Sequence, residues 1–141
     1  MATPTGIRTR SGIHLAFASR GTRFLGQMID YAVAGAPLLV APVVTHLLGP
    51  FVFPYMKLAA AWTFLYLVLG DGLHEGQSFS KRWLGMRVVD AQSGEPCTFG
   101  DSFIRNITLT LLGPIDWIFI FGDRHQRLGD KVAGTIVVMA D

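Results

Sequence analysis

The chain has 141 residues, of which 50% are hydrophobic and 16% charged, and its mean hydropathy is +0.41. Soluble domains carry about 25% charged residues, so this composition favours a one-domain integral membrane protein and leaves no room for a separate soluble enzyme. The net charge of +2 comes from small basic groups beside apolar runs, which argues against a nucleic-acid partner.

The first segment, residues 1–21, is polar and basic and shows little periodicity. Its composition predicts a mostly disordered tail before a single membrane domain over residues 22–141. Its arginines predict a cytoplasmic N-terminus by the positive-inside rule. No cleaved signal peptide is expected, because the first apolar run is too long for one and contains Asp30.

The first apolar run, residues 24–48, is long enough to cross a hydrocarbon core of about 30 Å as a helix. Asp30 is its one formal charge, and a carboxylate at the centre of a span costs up to about 3 kcal/mol. Arg23 precedes it by about two turns on the same face, and Gly26 lies between them as a helix-packing position. We interpret this face as protein-facing, with both charges paired elsewhere. The alternative is a snorkelling Arg23 and a protonated Asp30.

The second apolar run, residues 51–70, follows a break at Gly49-Pro50 and predicts a second membrane helix. The polar loop after it contains Lys81, Arg82 and Trp83, a basic and aromatic group expected at the membrane surface. Cys97, the one cysteine, is expected to be a free thiol in this loop.

The third apolar run, residues 103–121, contains Arg105, Asp116 and a break at Gly113-Pro114. A straight third span would place the basic C-terminal segment outside, against the positive-inside rule. We therefore predict a broken segment, re-entrant or kinked, that returns to the cytoplasmic side, with three straight spans as the alternative. Its return would let residues 87–89 pair with residues 136–138. The predicted fold class is an all-α membrane protein with two transmembrane helices, this third segment and a small cytoplasmic β-strand pair.

The charges at membrane level are expected to pair, because a buried ion needs an opposite partner. We predict the pairs Asp30–Arg105 and Arg23–Asp130, which the returning third segment would bring together. A cytoplasmic interfacial anchor is the alternative role for Arg105. The four histidines are scattered and no nucleophile or phosphate-binding motif is present, so no enzyme activity, cofactor or metal site is expected.

Arg23 and Asp30, together with residues 76–90 and 127–135, resemble the RDD family of small bacterial membrane proteins. The family is named after an arginine that starts the first membrane helix, an aspartate within that helix and a second aspartate further on. Asp130 is the candidate for the last of these, and Asp116 is its rival. The family often has histidine where Gly129 stands. The resemblance implies a multi-pass protein of the bacterial inner (plasma) membrane.

Two functions are compatible with these residues. The first is a non-enzymatic accessory or assembly subunit that packs against a larger membrane complex. The alternative is a homo-oligomer that moves protons or monovalent cations through carboxylates such as Asp30 and Asp116. Two spans are few for an alternating-access carrier, so the accessory role is favoured. The expected partners are the lipid bilayer and other membrane subunits or copies of this chain.

Overall fold

The computed structural model of the protein describes residues 6–10 and 12–140 and is mostly helical. In chain order the described residues form β1 (Gly6–Arg8), β2 (His14–Ala16), α1 (Arg20–Leu39), α2 (Ala41–Leu48), α3 (Val52–Leu69), α4 (Phe79–Trp83), β3 (Met86–Asp90), α5 (Phe99–Leu112), α6 (Pro114–Ile118), α7 (Leu128–Ala133) and β4 (Thr135–Met139). Short 3-10 helices occupy Gly49–Phe51, Gly70–Gly72 and Phe119–Phe121.

Two helical segments, Arg20–Leu47 and Val52–Gly72, are long and apolar enough to cross a membrane. They correspond to the two spans predicted at residues 24–48 and 51–70. The first begins at Ser19, whose side chain caps the helix by accepting a hydrogen bond from the Thr22 N–H. The short turn at Gly49–Phe51 returns the chain, so that α3 packs beside α1 and the Thr63 hydroxyl donates to the Ala34 carbonyl at 2.8 Å.

The third apolar segment is broken, as predicted, and the alternative prediction of a straight third span is wrong. The axes of Phe99–Leu112 and Pro114–Phe121 differ by 111°. Gly113 has a φ of 54°, which favours glycine, and Pro114 has no N–H with which to continue α5. The segment starts beside the end of α3, where the Ser102 hydroxyl donates to the Val68 carbonyl at 2.9 Å. It ends beside the start of α1, where Arg20 donates to the Phe121 carbonyl at 3.3 Å.

Strands β3 and β4 pair antiparallel, with Val88 opposite Val137 and Val89 opposite Ile136. The predicted pairing of residues 87–89 with residues 136–138 is therefore confirmed. Each face of this pair belongs to a small buried core. One core, which we call the inner core, contains Ala18, Met86, Val88, Cys97 and Val137. The other, which we call the outer core, contains Val89, Ile136 and Val138.

The N-terminal segment differs from the disordered tail expected for residues 1–21. Strands β1 and β2 form an antiparallel hairpin in which Ile7 lies opposite Leu15. Ile7, Leu15 and Phe17 pack on the outer core of the β3–β4 pair, and Phe17 bridges to Val138. The apolar area buried there stabilises the hairpin, and the polar composition of the segment does not show it. Residues 1–5 and 11 lie outside the described residues.

The hairpin, α4, β3, α7 and β4 together form what we call the cap layer. It packs where α1 and α5 begin and α3 ends, through contacts of α4 with α1 and of α7 with α5. One end of each of α1, α3 and α5 thus contacts the cap layer. The buried charged side chains lie at this junction between the helices and the cap layer.

Candidate functional site

Eight charged side chains lie buried at the junction between the helices and the cap layer, each with at most 8% of its surface exposed. They are the four cations Arg23, Lys81, Arg105 and Arg127 and the four anions Asp30, Asp71, Asp116 and Asp130. We call this set the charge network. Its formal charges balance, which matters because removing a single ion from water costs several kcal/mol unless an opposite charge and hydrogen bonds compensate.

Asp130, fully buried on α7, is the centre of the network. Its Oδ2 lies 2.5 Å from Arg23 Nη2 and its Oδ1 lies 2.7 Å from Arg105 Nε. The backbone N–H of Arg127 donates to Oδ2 at 3.1 Å. Burial by itself would raise the pKa of Asp130. The guanidinium groups of Arg105, Arg23 and Arg127 outweigh burial and hold this pKa far below its usual range. The carboxylate therefore stays ionised and joins α1, α5 and α7.

Asp71 continues the network from the 3-10 turn that ends α3. Its Oδ1 lies 2.5 Å from Lys81 Nζ, and its Oδ2 lies 3.0 Å from Arg105 Nη1. The side-chain amide of Asn106 donates to the same Oδ2 at 3.2 Å. Asp71 thus connects α3 to the cap layer through Lys81 and to α5 through Arg105.

Asp30 on α1 is held mainly by neutral donors. It accepts hydrogen bonds from the Tyr66 hydroxyl at 2.9 Å, the Ser78 hydroxyl at 2.7 Å and the Ser80 N–H at 3.3 Å. Lys81 Nζ lies 3.5 Å from its Oδ2. These four groups offset the cost of burying this carboxylate.

The predicted pair Asp30–Arg105 is wrong. The guanidinium of Arg105 is occupied by Asp71 and Asp130, and the short helix α4 places Lys81 against Asp30 instead. Arg105 is fully buried, so it is not an interfacial anchor. The other predicted contact, Arg23 with Asp130, is present at 2.5 Å.

Asp116 and Arg127 form a side branch. Arg127 Nε lies 3.6 Å from Asp116 Oδ2, and Arg127 Nη1 donates to the Gln27 side chain at 3.2 Å. The guanidinium also lies over the Trp117 ring, 5.6 Å from its centre. Asp116 Oδ1 accepts the Gly129 N–H at 2.7 Å, which joins α6 to α7.

The remaining predicted site residues differ in burial, and not all of them lie where the sequence predicts. Lys81 is not at the surface: it is buried, because Asp71 and Asp30 draw its ammonium into the network. Arg82 and Trp83 are exposed. Gly26 is a close-packing position, but the group that approaches it is the Met86 side chain of the cap layer and not another long helix.

Sequence reasoning missed several members of the site. Asp71 stands directly after the second apolar run, and a carboxylate at that position is the signal that could have found it. Arg127 belongs to the basic C-terminal segment and to the motif at residues 127–135, but neither pattern predicts that it is buried or which carboxylate it faces. The sequence does not mark Tyr66 or Ser78 as a partner of Asp30, because that role depends on how α3 and the start of α4 pack against α1.

Cys97 is buried, contrary to a thiol in a polar loop, because it packs in the inner core of the β3–β4 pair. Burial raises the pKa of its thiol to about 11.

Two small polar cavities adjoin the network. One, bordered by Asp30, Tyr66 and Asp71, and another, bordered by Arg23, Arg105 and Arg127, each have a volume of about 10 Å³. Each therefore has room for about one water molecule. Over residues 6–10 and 12–140 there is no group of three or more histidine, cysteine or acidic side chains that could hold a metal ion.

This arrangement, with two long apolar helices, a bent third segment and a charged junction under a small cap, is that of a small helical protein of membrane type. The chain belongs to the RDD family, whose profile matches residues 17–134. RDD is a family of membrane proteins. A protein of Haemophilus influenzae described as uncharacterized is 34% identical over 131 residues, which cover 88% of this chain and 79% of that protein. No solved structure matches the chain.

Proposed function

We propose that the protein is inserted in the bacterial inner membrane with its cap layer on the cytoplasmic side. Large apolar side chains on the long helices are exposed, as lipid contact requires; among them are Leu39, Phe53, Leu58 and Leu111, each more than 70% exposed. The bent third segment begins and ends at the cap end, which supports a re-entrant path. Arg10 and Arg124 are exposed at that end, in keeping with the positive-inside rule.

Within the membrane its role is that of a non-enzymatic accessory or assembly subunit. The observation that carries this proposal is the balanced charge network. Its central carboxylate, Asp130, lies within 2.7 Å of two guanidinium groups and its pKa is lowered, so it is a poor proton carrier. The cavities beside the network each have room for about one water molecule, which gives an ion little room to pass. Such a network suits a structural role, in which it fixes α1, α3 and α5 to the cap layer.

A lateral groove gives a partner helix a place to pack. It lies between α1 and the bent segment, has a volume of about 400 Å³, and is lined by Phe24, Met28, Tyr31, Leu109 and Trp117 among others. Packing between membrane helices depends on shape and on a few polar contacts, and Gln27 supplies a polar group in this groove.

The alternative function is a homo-oligomer that transports protons or monovalent cations. Asp30 favours it, because its nearest cation, Lys81, is 3.5 Å away and one of the small cavities adjoins it. This carboxylate is thus paired less tightly with a cation than Asp130 is, and a protonatable acid in a membrane helix is a common relay group.

Purification in mild detergent followed by native mass measurement separates the two functions. Co-purifying membrane subunits support the accessory role. A bare homo-oligomer that gives sodium or proton flux in liposomes, with flux lost in Asp30→Asn and kept in Asp123→Asn, would overturn it. Asp123 is a suitable control because it is exposed. Extraction of membranes at alkaline pH tests insertion separately, since an inserted chain stays in the pellet.

A further inference from the structure

A second groove, of about 570 Å³, opens between α1, α3 and α4. This volume lies within the range of about 300–1,000 Å³ that small-molecule sites occupy. Its wall is apolar and aromatic: Val33 comes from α1, Trp62 and Tyr66 from α3, and Phe79 and Trp83 from α4. The Trp62 and Tyr66 rings stack with centres 5.6 Å apart, which gives the groove a flat floor.

The lining of the groove is ordered from apolar to basic along the helices. Trp62 lies seven residues before the end of α3, about 10 Å from the cap end, whereas Arg82 lies on α4 in the cap layer. The apolar wall therefore faces the interior of the proposed bilayer. The guanidinium stands where lipid headgroups would lie.

Arg82 is the one basic side chain of α4 left available. Its neighbour Lys81 is buried between Asp71 and Asp30. Among residues 6–10 and 12–140, no carboxylate forms an ion pair with Arg82, and its side chain is exposed. A guanidinium in this state is a matching partner for a phosphate group, which it can bind through two parallel hydrogen bonds.

We propose that this groove binds one anionic phospholipid, with an acyl chain along Val33, Trp62 and Phe79 and the phosphate on Arg82. Charge complementarity selects an anionic headgroup, and the apolar wall selects a lipid over a soluble phosphate. The site adjoins the charge network, because Tyr66 lines the groove and donates its hydroxyl to Asp30. A bound lipid thus stabilises the fold as well as occupying the groove.

Native mass spectrometry of the detergent-solubilised full chain tests this site by titration with phosphatidylglycerol and, separately, with phosphatidylcholine. We expect one phosphatidylglycerol to bind preferentially and to raise the melting temperature. One basic residue near a lipid surface is worth about 1 kcal/mol, so Arg82→Gln should weaken phosphatidylglycerol binding about fivefold. Arg124→Gln is the matched control, since Arg124 is exposed but lies outside the groove. Trp83→Ala, at a 71% exposed wall position, should weaken binding of both lipids.

Four results would overturn the proposal: equal affinity for the two lipids, equal losses in Arg82→Gln and Arg124→Gln, a protein dimer that forms at the groove and excludes lipid, or competition by inorganic phosphate. Inorganic phosphate that competes with phosphatidylglycerol at low millimolar concentration would show a soluble-anion site instead. The inference rests on the membrane location proposed above. The alkaline extraction tests that location without lipid titration, so the two can fail separately.

Discussion

Asp130 accepts charge-assisted hydrogen bonds from Arg23 and Arg105, and each of these cations is buried. Asp130→Asn would leave two buried guanidinium groups without a full counter-charge. Breaking a buried ion pair from one side costs about 3–5 kcal/mol. We expect that loss in the free energy of unfolding, measured by denaturant titration in detergent.

Asp123→Asn is the control for this change, because Asp123 is exposed and belongs to the same segment of the chain. Asp30→Asn should cost less than Asp130→Asn, since an amide oxygen at the Oδ1 position can still accept from the Tyr66 hydroxyl and the Ser80 N–H, and the Lys81 ammonium keeps Asp71 as its partner. Equal stability of Asp130→Asn and Asp123→Asn would show that the network does not hold the fold.

Cys97 gives a second prediction at this scale. Its thiol is buried and its pKa is raised to about 11, so it stays protonated at neutral and mildly alkaline pH. Because the thiolate is the reactive form, labelling by a thiol reagent at pH 8 should be slow in the folded protein and fast after unfolding. The rate in the folded state should rise as the pH approaches 11. Rapid labelling at pH 8 without unfolding would place this thiol outside the core.

The sequence predicts which buried charges need a partner, but not every partner that the fold supplies. The sequence identifies Arg23 and Asp30 as charges that need partners, because Asp30 lies inside the first apolar run and Arg23 directly precedes it on the same helix face. It does not identify which cation reaches Asp30. That choice depends on the serine-rich entry to α4, where Ser78 and Ser80 fold against α1 and bring Lys81 with them.

At the scale of elements, the contact between α5 and α7 depends on a residue without a side chain. A Cβ at Gly129 would lie 2.2 Å from the Arg105 carbonyl oxygen. Gly129→Ala should therefore separate α7 from α5, disturb Arg105 and Asp130, and cost about 1–3 kcal/mol as overpacked cores do. The melting temperature in detergent measures the effect.

Gly35→Ala is the matched control, because a Cβ there meets nothing within 4 Å and α1 should gain helix propensity of up to about 1 kcal/mol. If both glycine variants melt together, the close approach of α7 to α5 contributes little to stability.

Elements with strong local patterns were predictable, and those stabilised by distant contacts were not. β-Branched residues at 88–89 and 136–138 predict strands, and the return of the third segment predicts that residues 87–89 meet residues 136–138. The β1–β2 hairpin has only three residues in each strand and a polar sequence. Its order comes from the β3–β4 surface that it covers, which no window of its own sequence contains.

At the scale of the whole molecule, one arrangement accounts for both the apolar helices and the charges. Three helical segments share one end, and every member of the charge network lies at that end, where the cap layer covers it. The composition of the chain predicts the helices. The junction depends on long-range contacts between α1, α3, α5 and α7. The sequence therefore shows individual charged residues of the network but not which of them pair.

This arrangement predicts the sidedness of the chain. With Cys97→Ser as background, single cysteines introduced as Arg10→Cys, Asp123→Cys and Pro50→Cys replace exposed residues. Arg10 and Asp123 lie at the cap end, whereas Pro50 lies in the turn between the two long helices. A membrane-impermeant maleimide should label the first two from one side of sealed vesicles and the third only from the other. If Asp123→Cys and Pro50→Cys were labelled from the same side of the vesicles, the bent segment would cross the bilayer completely and the re-entrant path would be wrong.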